Sequence, residues 1–428
     1  MLSRYLGNKN SLLPDILAAV GEHASPGDRV GDYLAGSMTV SLALKAAGYN
    51  VVSNDINNFS TTTGYAYIEN NSIPIVRKHD LIRKSEYKSA RARGINWITE
   101  LRGLEGYSFL ENESNRRKYA DLLTLFCYLE SVESQHISVE WQRTDFYDTY
   151  CELGRNSFFV SSRGRQGNRR FFSPDNARRI DRILSLIREW RENNLINMTL
   201  YHVIVSSLIR AIEKVSNTQG TYHDFPREKY DARSLGKLSF EAMPFDAVLQ
   251  GGDHMVGNAE DSLSFALRAP PVDVLYLDPP YNFRQYTSYY FLPNLISKYC
   301  EIEDLDSYFS SIQFVRGQNM EDDFDSPFCK KAKFIPSLET LIKRARARVV
   351  VLSYFNGRNH WNDFKSDCNG QGLKEIVSMF EGSGFEGAVD VRPIQRMNYQ
   401  SYGGYSAKKV DEYLFIAKVH QGEQVALA

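Results

Sequence analysis

The chain has little that would tie it to a membrane, a metal or a disulfide framework. Its five cysteines (Cys127, Cys151, Cys300, Cys329 and Cys368) are far apart, with no Cys-x-x-Cys pair and no Cys/His cluster. That spacing excludes the usual zinc signatures and a disulfide scaffold, and it fits a reducing compartment. No stretch approaches the roughly 18 apolar residues that read as a membrane helix, and the amino-terminal MLSRYLGNK carries no long apolar segment. Excess charge is missing too: 51 Lys+Arg stand against 52 Asp+Glu, a formal net charge of −1. A chain this neutral is not a general polyanion binder, so any nucleic-acid contact must come from a local patch. Internal repeats and low-complexity tails are absent. These absences predict a soluble, cytoplasmic protein with no metal.

What is present is apolar and aromatic. Hydrophobic residues make up 43% of the 428, enough for a sizeable core, and the length favours two lobes. The organising stretch is residues 273–286, DVLYLDPPYNFRQY. Its first half alternates into a short apolar run, as a buried strand of an α/β sheet does. Two prolines then stop the strand and fix a rigid, extended turn at its carboxyl end, where ligands sit in open α/β sheets. The turn presents the Asp278 carboxylate, proline carbonyls and the Tyr281 ring together.

That set suits one chemistry. The lone pair of a planar exocyclic amine is delocalised into its base, so the amine is a poor nucleophile. Acceptors that take hydrogen bonds from the NH2 group favour its pyramidal form and free the lone pair for an electrophile. An aromatic ring holds the base by stacking, worth about 1–3 kcal/mol. Acceptors fixed in advance act without reorganising. Asp278-Pro279-Pro280-Tyr281 resembles the DPPY catalytic motif of amino-methyltransferases that modify exocyclic amines in DNA. In that family Asp in first place goes mostly with adenine and Ser with cytosine.

The resemblance extends along the chain in a consistent order. SRYLGNK, before a helix-like run at 11–20, is similar to the family's first motif, in which an aromatic residue and a Lys lie against the methionine end of S-adenosyl-L-methionine; Tyr5 and Lys9 match them. A strand ending at Asp32 runs into small residues that let a backbone approach a ligand. It resembles the Asp-x-Phe-x-Gly-x-Gly loop, with Asp32, Tyr33 and Gly36 matching and Met38 in place of the last Gly. A second strand ends at Asp55, about 20 residues on, where nucleotide-binding α/β folds bind ribose. GNAEDSL (257–263) is similar to the family's Gly-Asp-Ala turn, with Asn258 for the Asp and a side-chain oxygen that can still accept from adenine. RVVVLSY (348–354) resembles the strand whose Ser-Tyr end lies beside the target base, which implicates Ser353 and Tyr354. The Tyr/Gly-rich segment before the last strand carries Lys408 and Lys409, placed to reach phosphates.

Between these halves the pattern turns helical. Residues 120–132 read as a buried helix, Ser173-Pro174 starts another with Ile180, Ile183, Ile187 and Trp190 in one stripe, and a third follows from about 197. Residues 155–182 hold eight Arg and no Lys among four Phe, a composition suited to phosphate clamping and base-edge readout. The candidate DNA contacts are Arg163, Arg165, Arg169 and Arg170.

The expected architecture is α/β: a Rossmann-like, S-adenosyl-L-methionine-dependent methyltransferase sheet from residues 1–58 and 246–420. A mostly helical target-recognition insertion spans 59–245, and a short tail spans 421–428. The order of elements resembles the alpha group of DNA adenine-N6 methyltransferases, the group of the Dam methylase. The resemblance implies base flipping of adenine in double-stranded DNA and Asp278, Pro279, Pro280 and Tyr281 at the reacting centre. Around the cofactor it implies Tyr5, Lys9, Asp32, Gly36, Asp55, Asn258 and Asp278, and as a partner a separately encoded restriction endonuclease. An RNA adenine or DNA cytosine enzyme, or an inactive DNA-binding protein on the same fold, remains open from residues alone.

Overall fold

The computed structural model describes residues 1–357, 359–361, 370–397 and 409–420. They form two compact units: Met1–Leu6, Tyr65–Leu249 and Thr287–Asp323 in one, and Gly7–Gly64, Gln250–Tyr286 and Phe324–Ala428 in the other.

The second unit is built on a seven-stranded sheet. Its strands are β1 (Arg29–Asp32), β2 (Asn50–Ser53), β3 (Met255–Val256), β4 (Val274–Leu277), β5 (Val349–Phe355), β6 (Phe385–Met397) and β7 (Lys409–Val419). Their spatial order is β3-β2-β1-β4-β5-β7-β6, parallel from β3 to β5, with β7 antiparallel to both neighbours. This is a mixed α/β, mostly parallel, Rossmann-like sheet. Every position of β4 (VLYL) and β5 (VVVLSYF) is buried, the signature of strands covered on both faces. Leu275, Leu277, Val350 and Leu352 enter one apolar cluster with Phe334, Leu338 and Leu341 of the helix Lys331–Ala345. Burying each such side chain contributes about 1.5–3 kcal/mol.

Topology then places the functional end. From β1 the chain moves outward to β2, passes through the helical segment, returns to the sheet edge as β3 and then crosses to the other side of β1 as β4. The switch leaves a crevice at the carboxyl ends of β1 and β4, where Asp32 and Asp278 lie.

The first unit is mostly helical. The helix Glu113–Leu129 begins well before the apolar run at 120 because the Asn112 side chain caps it, accepting from Asn115 N. Asn197 caps Met198–Val215 in the same way. Pro174–Glu192 starts at its proline and buries Ile180, Ile183, Ile187 and Trp190. A short hairpin, Phe158–Val160 with Gln166–Asn168, stands on this unit and turns through residues 161–165. Among the described residues no helix is long and apolar enough to cross a membrane.

Candidate active site

Strand alternation sets the chemistry at the end of β4. Leu275 and Leu277 point into the apolar cluster, so Tyr276 and then Asp278 fall on the opposite face. Leu277 pairs with Leu352 and Phe355 pairs with Glu412, which brings Ser353, Phe355 and Glu412 to the face of Asp278. Gly7 turns the chain beneath them with φ +85, and a Cβ there would lie 3.5 Å from the Tyr281 hydroxyl. Just after that turn Lys9 enters the site and is only 3% exposed.

The result is a buried ionic chain. Lys9 Nζ lies 2.9 Å from Asp278 Oδ1 and 2.5 Å from Glu412 Oε1. Ser353 Oγ donates to the same Glu412 oxygen at 2.8 Å, and Arg396 Nε of β6 sits 2.5 Å from Glu412 Oε2. The Tyr281 ring closes the site, 5.2 Å from the Phe355 ring and with the Lys9 ammonium 5.9 Å from its centre. Burial pushes the Asp278 carboxyl up to about 6, against the pull of the Lys9 ammonium, and the Glu412 charge adds to the rise. For Lys9, burial works against the charge, but Asp278 and Glu412 outweigh it and hold the ammonium protonated. Burial likewise opposes the Glu412 charge, and Lys9 and Arg396 outweigh it, so this carboxyl stays below its usual range.

On β1, burial lifts Asp32 to about 7 while Ser41 Oγ donates to its Oδ2 at 2.6 Å. Its other oxygen, Oδ1, is buried and accepts no hydrogen bond among the described residues. The loop that follows holds its shape through two left-handed residues, Gly36 (φ 51) and Met38 (φ 62). Met38 therefore takes the conformation that glycine usually supplies. Its buried side chain reaches toward Gly64, where a Cβ would lie 3.2 Å from the methionine methyl carbon. Asp55 pins the loop: Oδ2 accepts from Gly36 N at 2.8 Å, and Oδ1 accepts from Asn57 N and Nδ2 at 2.9 and 2.8 Å.

A family model described as D12 class N6 adenine-specific DNA methyltransferase matches residues 5–338. The chain belongs to this family. It is similar to the modification methylase StsI of Streptococcus sanguinis, 26% identical over 415 residues, covering 96% of this chain and 51% of that protein. To the type II methyltransferase M.FokI of Planomicrobium okeanokoites it is 27% identical over 420 residues, covering 96% and 52%. A shorter match, 30% identical over 211 residues, links it to the type II methyltransferase M.NlaIII of Neisseria lactamica, covering 49% and 55%. The chain spans about half the length of the curated relatives it matches.

In this D12-family chain Lys9, Asp278, Pro279 and Tyr281 converge in one unit, with Pro279 and Tyr281 buried and Pro280 partly so. Asp32, Gly36 and Asp55 form the neighbouring loop site, and Asn258 is exposed on the turn after β3. Ser353 and Tyr354 part company, because neighbours on a strand face opposite ways. The Ser353 hydroxyl is engaged by Glu412, whereas the Tyr354 ring packs 5.7 Å from Phe334 and 6.4 Å from Tyr281. Tyr5 belongs to the helical unit, stacked on Tyr290 at 4.7 Å. Arg163 and Arg165 are exposed on the hairpin turn, and Lys409 is exposed at the start of β7; Lys408 lies outside the described residues.

Two arginines need correction. Arg169 is 1% exposed, and its guanidinium donates to the carbonyls of Asn156 (2.8 Å), Phe314 (2.9 Å) and Val315 (3.1 Å), so it is an internal cross-link rather than a phosphate contact. Arg170 is largely occupied, ion-paired with Glu152 and donating to Arg227 O at 2.7 Å. Sequence reasoning missed Glu412, Arg396, Phe355 and Tyr276. An available signal was the acid at 412, at a position that alternation assigns to a buried face of an otherwise apolar strand.

Proposed function

We propose that this chain transfers a methyl group from S-adenosyl-L-methionine to the N6 amine of adenine at a specific site in duplex DNA. Its biological role is that of the modification enzyme of a restriction-modification system, in the cytoplasm and beside a separately encoded endonuclease. The observation that carries the reading is the partly buried Asp278 carboxylate, fixed by two prolines beside the Tyr281 ring in a D12-family chain.

The residues fit a cationic donor. Asp278 and Glu412 face Lys9 and Arg396, and Asp32 beside Asp278 keeps a buried oxygen that accepts no hydrogen bond among the described residues. The bound donor supplies an electrophilic methyl on a sulfonium. Asp32, Gly36, Asp55 and Asn258 would hold it at the loop side. On the substrate side, Tyr281 stacks on the flipped adenine while Asp278 and the Pro279 carbonyl accept from its amine. Flipping costs a few kcal/mol and brings the amine to the methyl in line. The amine nitrogen would form the bond to the methyl carbon as the carbon–sulfur bond breaks with its electron pair to sulfur, and the amine proton would pass to the Asp278 carboxylate or to water.

The test is transfer of labelled methyl from the cofactor to unmethylated genomic DNA, with nucleoside analysis and long-read mapping. Label in N6-methyladenine within one short sequence supports the reading. Label in N4-methylcytosine or in RNA would replace the substrate, and DNA binding without transfer would leave an inactive binding module.

For DNA contact we assign Arg163 and Arg165 on the hairpin turn, with Lys408 and Lys409 as further phosphate contacts. Each phosphate neutralised contributes about 0.9 to the slope of log affinity against log salt. The double variant Arg163→Ala/Arg165→Ala should therefore flatten that slope by about 2 and weaken binding to any sequence. An unchanged slope in a fluorescence-anisotropy salt series would remove the hairpin from the interface.

A further inference from the structure

We propose that Glu412 is a positioning residue for methyl transfer: it shares the Lys9 ammonium with Asp278 and so leaves the catalytic carboxylate an oxygen with which to receive the substrate amine. The inference rests on the adenine-methylation reading above and assigns a role to a strand outside the catalytic turn.

The geometry is that of one cation between two acids. Lys9 Nζ is nearer to Glu412 (2.5 Å) than to Asp278 (2.9 Å), and all three groups are buried or nearly so. Glu412 is 0% exposed, and its charge is held by two ion-pair partners, Lys9 at Oε1 and Arg396 at Oε2, while the Ser353 hydroxyl donates to Oε1. A buried acid with no catalytic contact of its own would be costly to keep if packing were its whole purpose. Its consequence for Asp278 is specific. With Lys9 as its sole partner, Asp278 would be held in a tight ion pair and would be a poor acceptor for an incoming N–H. With the ammonium drawn toward Glu412, the carboxylate stays ionised near neutrality and can exchange the ammonium for the amine. The groups facing Asp278 are Lys9 from the amino-terminal turn, Asp32 from β1, Tyr276 and Tyr281 from its own strand and turn, Arg396 from β6 and Glu412 from β7. Among the described residues β5 adds the Ser353 hydroxyl.

The experiment measures single-turnover methyl transfer to DNA from pH 5 to 9, with thermal melting and cofactor affinity recorded for each variant. For the unsubstituted protein, the acid limb should lie near the pH of about 6 at which Asp278 titrates. In Glu412→Gln, Lys9 falls to Asp278 alone, so the acid limb should move about one unit lower while the plateau rate drops roughly 10- to 100-fold. A lower limb with a lower plateau is the signature, because a merely structural loss depresses the rate at every pH and leaves the limb in place. Adding Lys9→Met to Glu412→Gln should recover part of the plateau, since the over-tight ion pair is gone. If Glu412→Gln does not fold, Arg396→Gln serves: it leaves Glu412 uncompensated and should move the limb to higher pH. A limb that stays put in every folded variant overturns the inference. Absence of methyl transfer by the unsubstituted protein would instead overturn the functional reading on which it rests.

Discussion

Asp278→Ala should abolish measurable methyl transfer, a loss of about 10²–10⁴-fold or more, while the protein still folds and binds its cofactor. In the proposed reaction the carboxylate is the acceptor that keeps the amine pyramidal, and the carbonyl of Pro279 cannot replace a charge. Folding should survive because the substitution removes one of two acids from Lys9 and leaves the other: the Lys9–Glu412 pair at 2.5 Å remains neutral overall. The carboxyl is also costly in the folded state, since burial pushes it up to about 6. Removing it therefore should not lower the melting temperature by more than a few degrees. Single-turnover kinetics, a thermal melt and a cofactor titration on one preparation decide the matter. An active Asp278→Ala protein would mean that the DPPY turn is not the catalytic centre.

The largest effect on stability should come from Arg169→Met, in the helical unit. The methionine keeps the bulk of the aliphatic stem but removes the charged donors to three backbone carbonyls, those of Asn156, Phe314 and Val315. Hydrogen bonds from a charged group contribute about 1.5–3 kcal/mol, so a loss of about 3 kcal/mol or more is expected. In a unit of this size that corresponds to a fall of roughly 6–12 °C in melting temperature. Gly317 lies against the same side chain, and a Cβ there would come within 3.0 Å of the guanidinium stem. Arg163→Ala on the exposed turn should move the melt by less than about 0.5 kcal/mol. Together the two substitutions separate an arginine that builds the unit from one that is available to DNA; equal effects on melting would refute the distinction.

The turn at the end of β4 was legible because its signal is local. An apolar run, two prolines, an acid and an aromatic ring specify a strand, its stop and what the stop presents, without reference to any distant residue. The same holds for Asp32 and Gly36 at the end of β1, and for the helices that bury Ile180, Ile183, Ile187 and Trp190. Arg169 was misread for the converse reason: a run of eight arginines looks uniform in composition, and only burial distinguishes the one that binds carbonyls from those on the hairpin turn.

By itself the sequence determined the α/β class, the DPPY centre, the loop beside it and the helical character of the insertion, because each depends on periodicity or on chemistry within a few residues. Tertiary structure alone decided that Thr287–Asp323 packs in the helical unit, where Phe314 and Val315 receive Arg169. It also decided that Lys9 and Glu412, 403 positions apart in the chain (412 − 9), meet at Asp278. An antiparallel final strand beside β5 brings them together, and the register that pairs Phe355 with Glu412 is set by which side chains fill the core. Ion pairs of this kind leave no trace in local pattern, since their partners are chosen by the fold.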